Sequence, residues 1–230
     1  QGRARSWLTK DMKAYESVFI KGKDQIVAYL DSLSESISTL NLCRNECNLP
    51  RQLPGVVDDF VYGTGSKSFS QYLTVQIADN KVKSLDQLFM QAIVLHDMFR
   101  SKVEGICSAL CGVSVQPPPD GIFLTDFERC LEKAVVTCEG EASRLVDVLR
   151  ARLVCRDWGC VRSCIQRIAE DSELQVIRVK NRFDRSYDPR QTGGYRDVCL
   201  NVCLVTDETW TLGVSGHVCE LQLALGDFKM

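Results

Sequence analysis

The chain has 230 residues, 45% of them hydrophobic, enough to fill one large core or two small ones. Its 28 basic and 30 acidic side chains leave a formal charge of -2, which excludes a global attraction to nucleic acid or anionic membrane and argues against a partner such as tRNA. No apolar run approaches the roughly 18 residues of a membrane span, and the opening QGRARSWLTKDMKAY lacks the apolar segment of a signal peptide, so no membrane partner and a cytoplasmic, reducing location are expected.

Taken in chain order, Ile26, Leu30, Leu33, Ile37 and Leu40 recur at a helical period. GTGSKS at 63–68 has the look of a phosphate loop, but Ser66 separates Gly65 from Lys67 and residue 60 is Phe, so a solvated turn is the better reading. A second helix is predicted from Ser84, with Gln87 completing a capping box. Its stripe is Leu85, Leu88, Ala92, Leu95, Phe99, Val103, Ile106 and Leu110, and Gly112 is placed to end it. His96-Asp97 within this helix resembles a metal-binding dipeptide, yet only His217 remains as a further histidine, so a helical histidine with a local partner is expected.

GVSVQPPPDG, with three consecutive prolines, breaks the pattern. The predicted organisation is a mainly helical region over 1–112, a Pro/Gly linker over 113–121 and a second domain over 122–230. Beyond the linker, helices are predicted at 125–138 and 159–170, and strands at 149–156, 174–180, 195–205, 208–213 and 217–225. That order predicts an α+β fold, a mixed sheet of about five strands covered by helices.

The sequence contains twelve cysteines, but most sit in apolar periodic segments, where a free thiol behaves as a small hydrophobe. Cys43/Cys47, Cys107/Cys111 and Cys160/Cys164 are four apart and form no CxxC pair, so neither a disulfide framework nor a structural zinc is expected.

The chemistry concentrates on strand faces of period two. In HVCELQL, Glu220 and Gln222 share one face, and an unpaired carboxylate in an apolar strand is costly to bury. In RDVCLNVCLV, Asp197, Cys199, Asn201 and Cys203 form the more polar face. Arg178 and Lys180 share a face, as do Arg150 and Arg152 just after Asp147. Acids able to hold a divalent metal, with cations for phosphates, are the parts of phosphoryl transfer. A satisfied network of structural salt bridges is the other reading of the same pattern.

The motifs RCLEK, DVLRAR, RVKNRF, GGYRDV and HVCELQL, in this order over 129–225, resemble the synthetase domain of the RelA/SpoT homologues, a divergent branch of alarmone synthetases with a nucleotidyltransferase-like fold. The resemblance implies transfer of pyrophosphate from ATP to the 3′-hydroxyl of a purine nucleotide, with Mg²⁺ or Mn²⁺ as cofactor. It implies that Arg129, Lys133 and Arg152 grip ATP phosphates and that Asp147 and Glu220 hold the metal, Glu220 also serving as base. Lys180 would face acceptor phosphate, Tyr195 would stack on the acceptor base, and Gln222 would follow Glu220 on its face. Two positions depart from the pattern. Cys199 stands where the family has a histidine, and Gln191 stands for a lysine, with Arg190 one step away. The family also often continues past the equivalent of Met230. The departures keep open a catalytically silent nucleotide-binding module, and the N-terminal helices leave open a helical scaffold.

Overall fold

The computed structural model describes residues 84–118 and 121–226, with residues 13, 17, 31–33, 35–38 and 82. The first predicted stripe is described only at Leu33 and Ile37. Both are helical, and Leu33 is buried in the core. Ile26, Leu30, Leu40, the 63–68 turn and Cys43/Cys47 lie outside the described residues.

Helix α1 (Leu85–Ser108) begins at Ser84, whose hydroxyl accepts from the Gln87 amide while the Gln87 side chain reaches back to the Ser84 amide. Leu88, Ala92, Leu95, Phe99, Val103 and Ile106 form its buried stripe, as the periodicity predicts. His96 has the local partners expected of it: Asp97 lies 2.9 Å from Nδ1, and the Phe123 amide donates to Nε2 at 3.3 Å. The helix stops before Gly112, whose φ of +82° turns the chain into β1 (Val113–Gln116). β1 therefore occupies the first part of the stretch read as a linker. Its residues pair antiparallel with the next strand, and the prolines only follow.

Helix α2 (Phe127–Val136) is capped by Asp126, β2 covers Arg150–Cys155, and α3 (Trp158–Ala169) is capped by Asp157. Then come β3 (Leu174–Asn181), β4 (Val198–Leu204), α4 (Asp207–Thr211) and β5 (Val218–Leu225). The predicted strand at 208–213 is corrected to helix α4. Thr206 and Thr209 form a reciprocal capping box with Asp207 and Glu208 in the first turn, and this local signal outweighs the β-propensity of Thr209, Trp210 and Thr211.

The five strands form one open mixed sheet in the order β1-β2-β5-β4-β3. β5 runs parallel to β2, and the other neighbours are antiparallel. Side chains alternate between its faces in transverse rows. One face carries the rows Val115–Leu153–Leu223–Val198 and Ala151–Leu221–Leu200–Val179. These join Leu95, Phe99, Val161 and Ile165 of α1 and α3 in a single core cluster. This α+β architecture, with a helix ahead of a five-stranded mixed sheet, is the one the sequence predicts.

Candidate active site

The other face of the same sheet is polar. One row runs Gln116–Arg152–Gln222–Cys199–Lys180 across all five strands. The next runs Arg150–Glu220–Asn201–Arg178. Side chains opposite one another in adjacent strands stand roughly 5 Å apart at Cβ, so these groups share one surface. Four cations there face one carboxylate. Among the described residues, Arg150, Arg178 and Lys180 have no ion-pair partner within 4 Å. Such an uncompensated field attracts a polyanion.

Glu220 sits at the centre. Gln222 Nε2 donates to its Oε1 at 2.8 Å, and Cys199 Sγ donates to its Oε2 at 3.1 Å. Both donors are neutral, so the carboxylate is oriented without being neutralised. Burial, followed by the Glu220 charge, pushes the Cys199 thiol far above its ordinary range, so it stays a donor. Lys180 is exposed overall, yet its ammonium is pulled below the usual lysine value, first by the protein around it and then by Arg178.

Asp147 lies three residues before β2, and a short antiparallel bridge holds it there. Leu124 pairs with Leu149, the Thr125 amide donates to Val148 O at 2.8 Å, and Thr125 Oγ1 donates to Asp147 O at 2.5 Å. Because α2 starts just after this bridge, Lys133 reaches the Asp147 carboxylate and pairs with it. The Glu220 amide donates to Leu149 O at 2.9 Å, so the backbones carrying the two acids are adjacent.

Mg²⁺ binds through one or two carboxylates and completes its shell with water and phosphate oxygen. Two hard carboxylates on neighbouring backbones, one salt-bridged to a lysine and one held by neutral donors, fit that chemistry. Among the described residues no cluster of three His, Cys, Asp or Glu groups forms a closed metal site.

Tyr195 is aimed by the two glycines before it. Gly193 and Gly194 have φ of 61° and 92°, a left-handed pair that side-chain-bearing residues rarely adopt. The tyrosine hydroxyl accepts from Arg152 Nη2 at 2.9 Å, and the guanidinium carbon lies 5.1 Å from the ring centroid. Arg152 is thus joined to Tyr195 rather than standing with the α2 cations. The loop over 182–197 is internally bonded: Ser186 N donates to Asp184 Oδ1, Gly194 N to Pro189 O, and Arg196 Nη1 to Arg182 O.

Of the residues singled out in the sequence, Glu220, Gln222, Arg152, Lys180 and Tyr195 lie on or beside one open face, and Asp147 and Lys133 meet at its margin. Arg129 is exposed on α2 in a surface groove of about 520 Å³ that also holds Asp126, Glu128 and Glu132. Arg190 is closed on its own loop, with Nε and Nη2 each 2.9 Å from the Asp188 carboxylate. Sequence reasoning left out Arg150 and Arg178 as site residues, although strand alternation put them on the right face. It also missed the ion pair in which Arg182 Nη1 donates to Asp197 Oδ1 at 2.5 Å.

Comparison with solved structures finds likenesses over about three-fifths of the chain. The small alarmone synthetase 1 of Bacillus subtilis bound to its product pppGpp is similar at 15% identity and a TM-score of 0.47, over 61% of this chain and 74% of that one. The small alarmone synthetase 2 of the same organism is similar at 15% identity and a TM-score of 0.43, over 61% and 71%. A GTP pyrophosphokinase family protein from Streptococcus pneumoniae is similar at 14% identity and a TM-score of 0.41, over 59% and 66%. These belong to the class of proteins that the sequence motifs resemble. No protein-family model and no curated protein matches the sequence. Among the described residues no helix is long and apolar enough to cross a membrane.

Proposed function

We propose that this chain transfers the β,γ-diphosphate of ATP to the 3′-hydroxyl of a purine nucleotide, breaking the bond between the α- and β-phosphates and releasing AMP, as the alarmone synthetases it resembles do. The reading is carried by Glu220, a carboxylate at the centre of the open face, oriented by Gln222 and Cys199 and set among Arg150, Arg152, Arg178 and Lys180. In this reading Glu220 accepts the proton of the attacking hydroxyl. Lys133 and Arg129 on α2 hold donor phosphates. Arg178 and Lys180 neutralise acceptor phosphate, and the Tyr195 ring offers a stacking surface for the acceptor base. Asp147 and Glu220 would hold Mg²⁺, which supplies charge neutralisation for the migrating phosphoryl groups.

The test is label transfer from γ-³²P ATP, with Mg²⁺, to a panel of GDP, GTP, ADP, ATP and tRNA. The expected result is one labelled nucleotide product that disappears in Glu220→Gln. A specific observation favours a second reading, a nucleotide-binding module without turnover: Cys199 occupies Glu220 Oε2 and Lys133 occupies Asp147. Nucleotide binding with no labelled product from any acceptor would establish that module instead.

A further inference from the structure

Lys133 and Asp147 have different tasks in the proposed function, one toward donor phosphate and one toward a divalent cation. In the structure they are paired with each other. The two partners are not equally fixed. Asp147 is held through its backbone: Thr125 Oγ1 donates to its carbonyl at 2.5 Å, and Leu149, two residues on, is bridged to Leu124 and accepts from the Glu220 amide at 2.9 Å. The Asp147 side chain is 14% exposed. Lys133 stands in the last turn of α2, and its side chain is 31% exposed. It also lines the groove of about 520 Å³ that holds Arg129. An ammonium on a flexible four-carbon stem is a mobile point charge. It can leave the carboxylate by side-chain rotation, whereas the carboxylate stays where the bridge puts it. The charges decide what the pair does. With Lys133 on it, Asp147 offers no net charge to an arriving cation. An ammonium and a divalent cation repel each other, so they do not share one carboxylate. If Lys133 is displaced alone, the groove offers it only Asp126, Glu128 and Glu132, exposed acids whose charge water screens. A triphosphate in the groove offers it several charges at once. Glu220 differs from Asp147, because its donors Gln222 and Cys199 are neutral and its charge is left open.

We infer that Lys133 is a placeholder cation, which covers the Asp147 carboxylate until a nucleoside triphosphate draws it away, so that a divalent cation gains Asp147 only together with the donor nucleotide. The inference rests on the proposed function above and gives one lysine two successive partners. The Asp147 charge is then compensated before and after the exchange. The same contact that favours a module without turnover becomes the resting state of a site that loads cation and triphosphate together. A neutral residue at 133 removes the placeholder and leaves Asp147 free for a cation at any time. An arginine at 133 keeps the positive charge.

The experiment titrates Mn²⁺ into the full chain without nucleotide and reads the free ion by electron paramagnetic resonance. Lys133→Gln and Lys133→Met should each bind Mn²⁺ about tenfold tighter than wild type, an ordinary size for coupling between sites. Lys133→Arg should stay within about twofold of wild type, because the cation is kept. Adding Asp147→Asn to Lys133→Gln should abolish the gain, which locates it at Asp147. Calorimetry then measures a non-hydrolysable ATP analogue at saturating Mn²⁺. Here the order reverses: Lys133→Gln should bind the analogue about tenfold more weakly than wild type, the scale of a lost hydrogen bond to a charged group. Unchanged Mn²⁺ affinity in both neutral variants, or a gain that survives Asp147→Asn, overturns the inference. So does an analogue bound equally by wild type and Lys133→Gln, since the lysine then has no second partner. In each of these cases wild-type protein still binds the analogue, and the proposed function stands. Wild-type protein that binds no analogue, with or without Mn²⁺, overturns that function and the inference with it.

Discussion

Glu220 and Leu221 are neighbours in the chain and point to opposite sides of β5. Leu221 is fully buried among Ala151, Leu200 and the helices. Glu220 keeps partial exposure and faces a surface of four cations. One face is closed by helices, and its residues are exchangeable hydrophobes judged by volume. The other is left open, and its residues are charged groups judged by position. A period of two residues is enough to run both programmes along a single strand. The fold can therefore be damaged without touching the chemistry, and the chemistry without touching the fold.

The largest effect expected tests the open face. Glu220→Gln keeps the size of the side chain and removes the proposed proton acceptor, so label transfer should fall by roughly 10³-fold while the melting temperature stays within a few degrees. A variant that melts much lower would show that Glu220 is structural and erase the contrast. Leu221→Ala should do the opposite. It should lose about 2–5 kcal/mol in urea unfolding and leave nucleotide affinity per folded molecule unchanged.

His217 sharpens the comparison from the covered side. Nδ1 lies 3.1 Å from Gln91 Oε1 of α1, Nε2 is buried without a hydrogen-bond partner, and burial lowers the imidazole from 6.5 to about 4. As pH falls, the unfolded chain takes up this proton first. Stability present above pH 6.5 should therefore be lost progressively down to pH 4, by up to about 3 kcal/mol. His217→Gln should flatten the unfolding curve in that window; an unchanged slope would place the acid sensitivity on other groups. The smallest effect is on thiol chemistry. Cys107 and Cys130 are pushed up to about 11 by burial, and Cys111 is exposed. Of the described cysteines, mass spectrometry after brief iodoacetamide treatment of native protein should find Cys111 labelled first, with no change in melting temperature.

Much of this division was legible in the sequence, because it is local. The stripe of α1, its capping box and the alternation in β5 depend on neighbours within a few residues. What could not be read is what depends on distant pairing. Nothing local says that β5 lies between β2 and β4, and that order is what brings Arg150 and Asn201 to either side of Glu220. The Lys133–Asp147 pair depends on the bridge between Leu124 and Leu149. Arg190 was placed by spacing from Tyr195, but the Asp188-Pro189 turn leaves a carboxylate two residues away, and that nearer partner wins. The Asp197–Arg182 pair joins the two ends of a loop whose path no periodicity describes.

The strand order has one more consequence, in time rather than in space. A ribosome delivers β1, β2, β3 and β4 before β5, so the strand that lies between the β1–β2 pair and the β4–β3 pair is the last of the five to be made. Lys180 and Arg152 exist from that stage, but they meet across one surface only when Val218–Leu225 slots into the gap and brings Glu220 with it. The emerging polypeptide has no assembled centre until its sheet is closed in the middle, and a product of early termination before residue 218 has none at all.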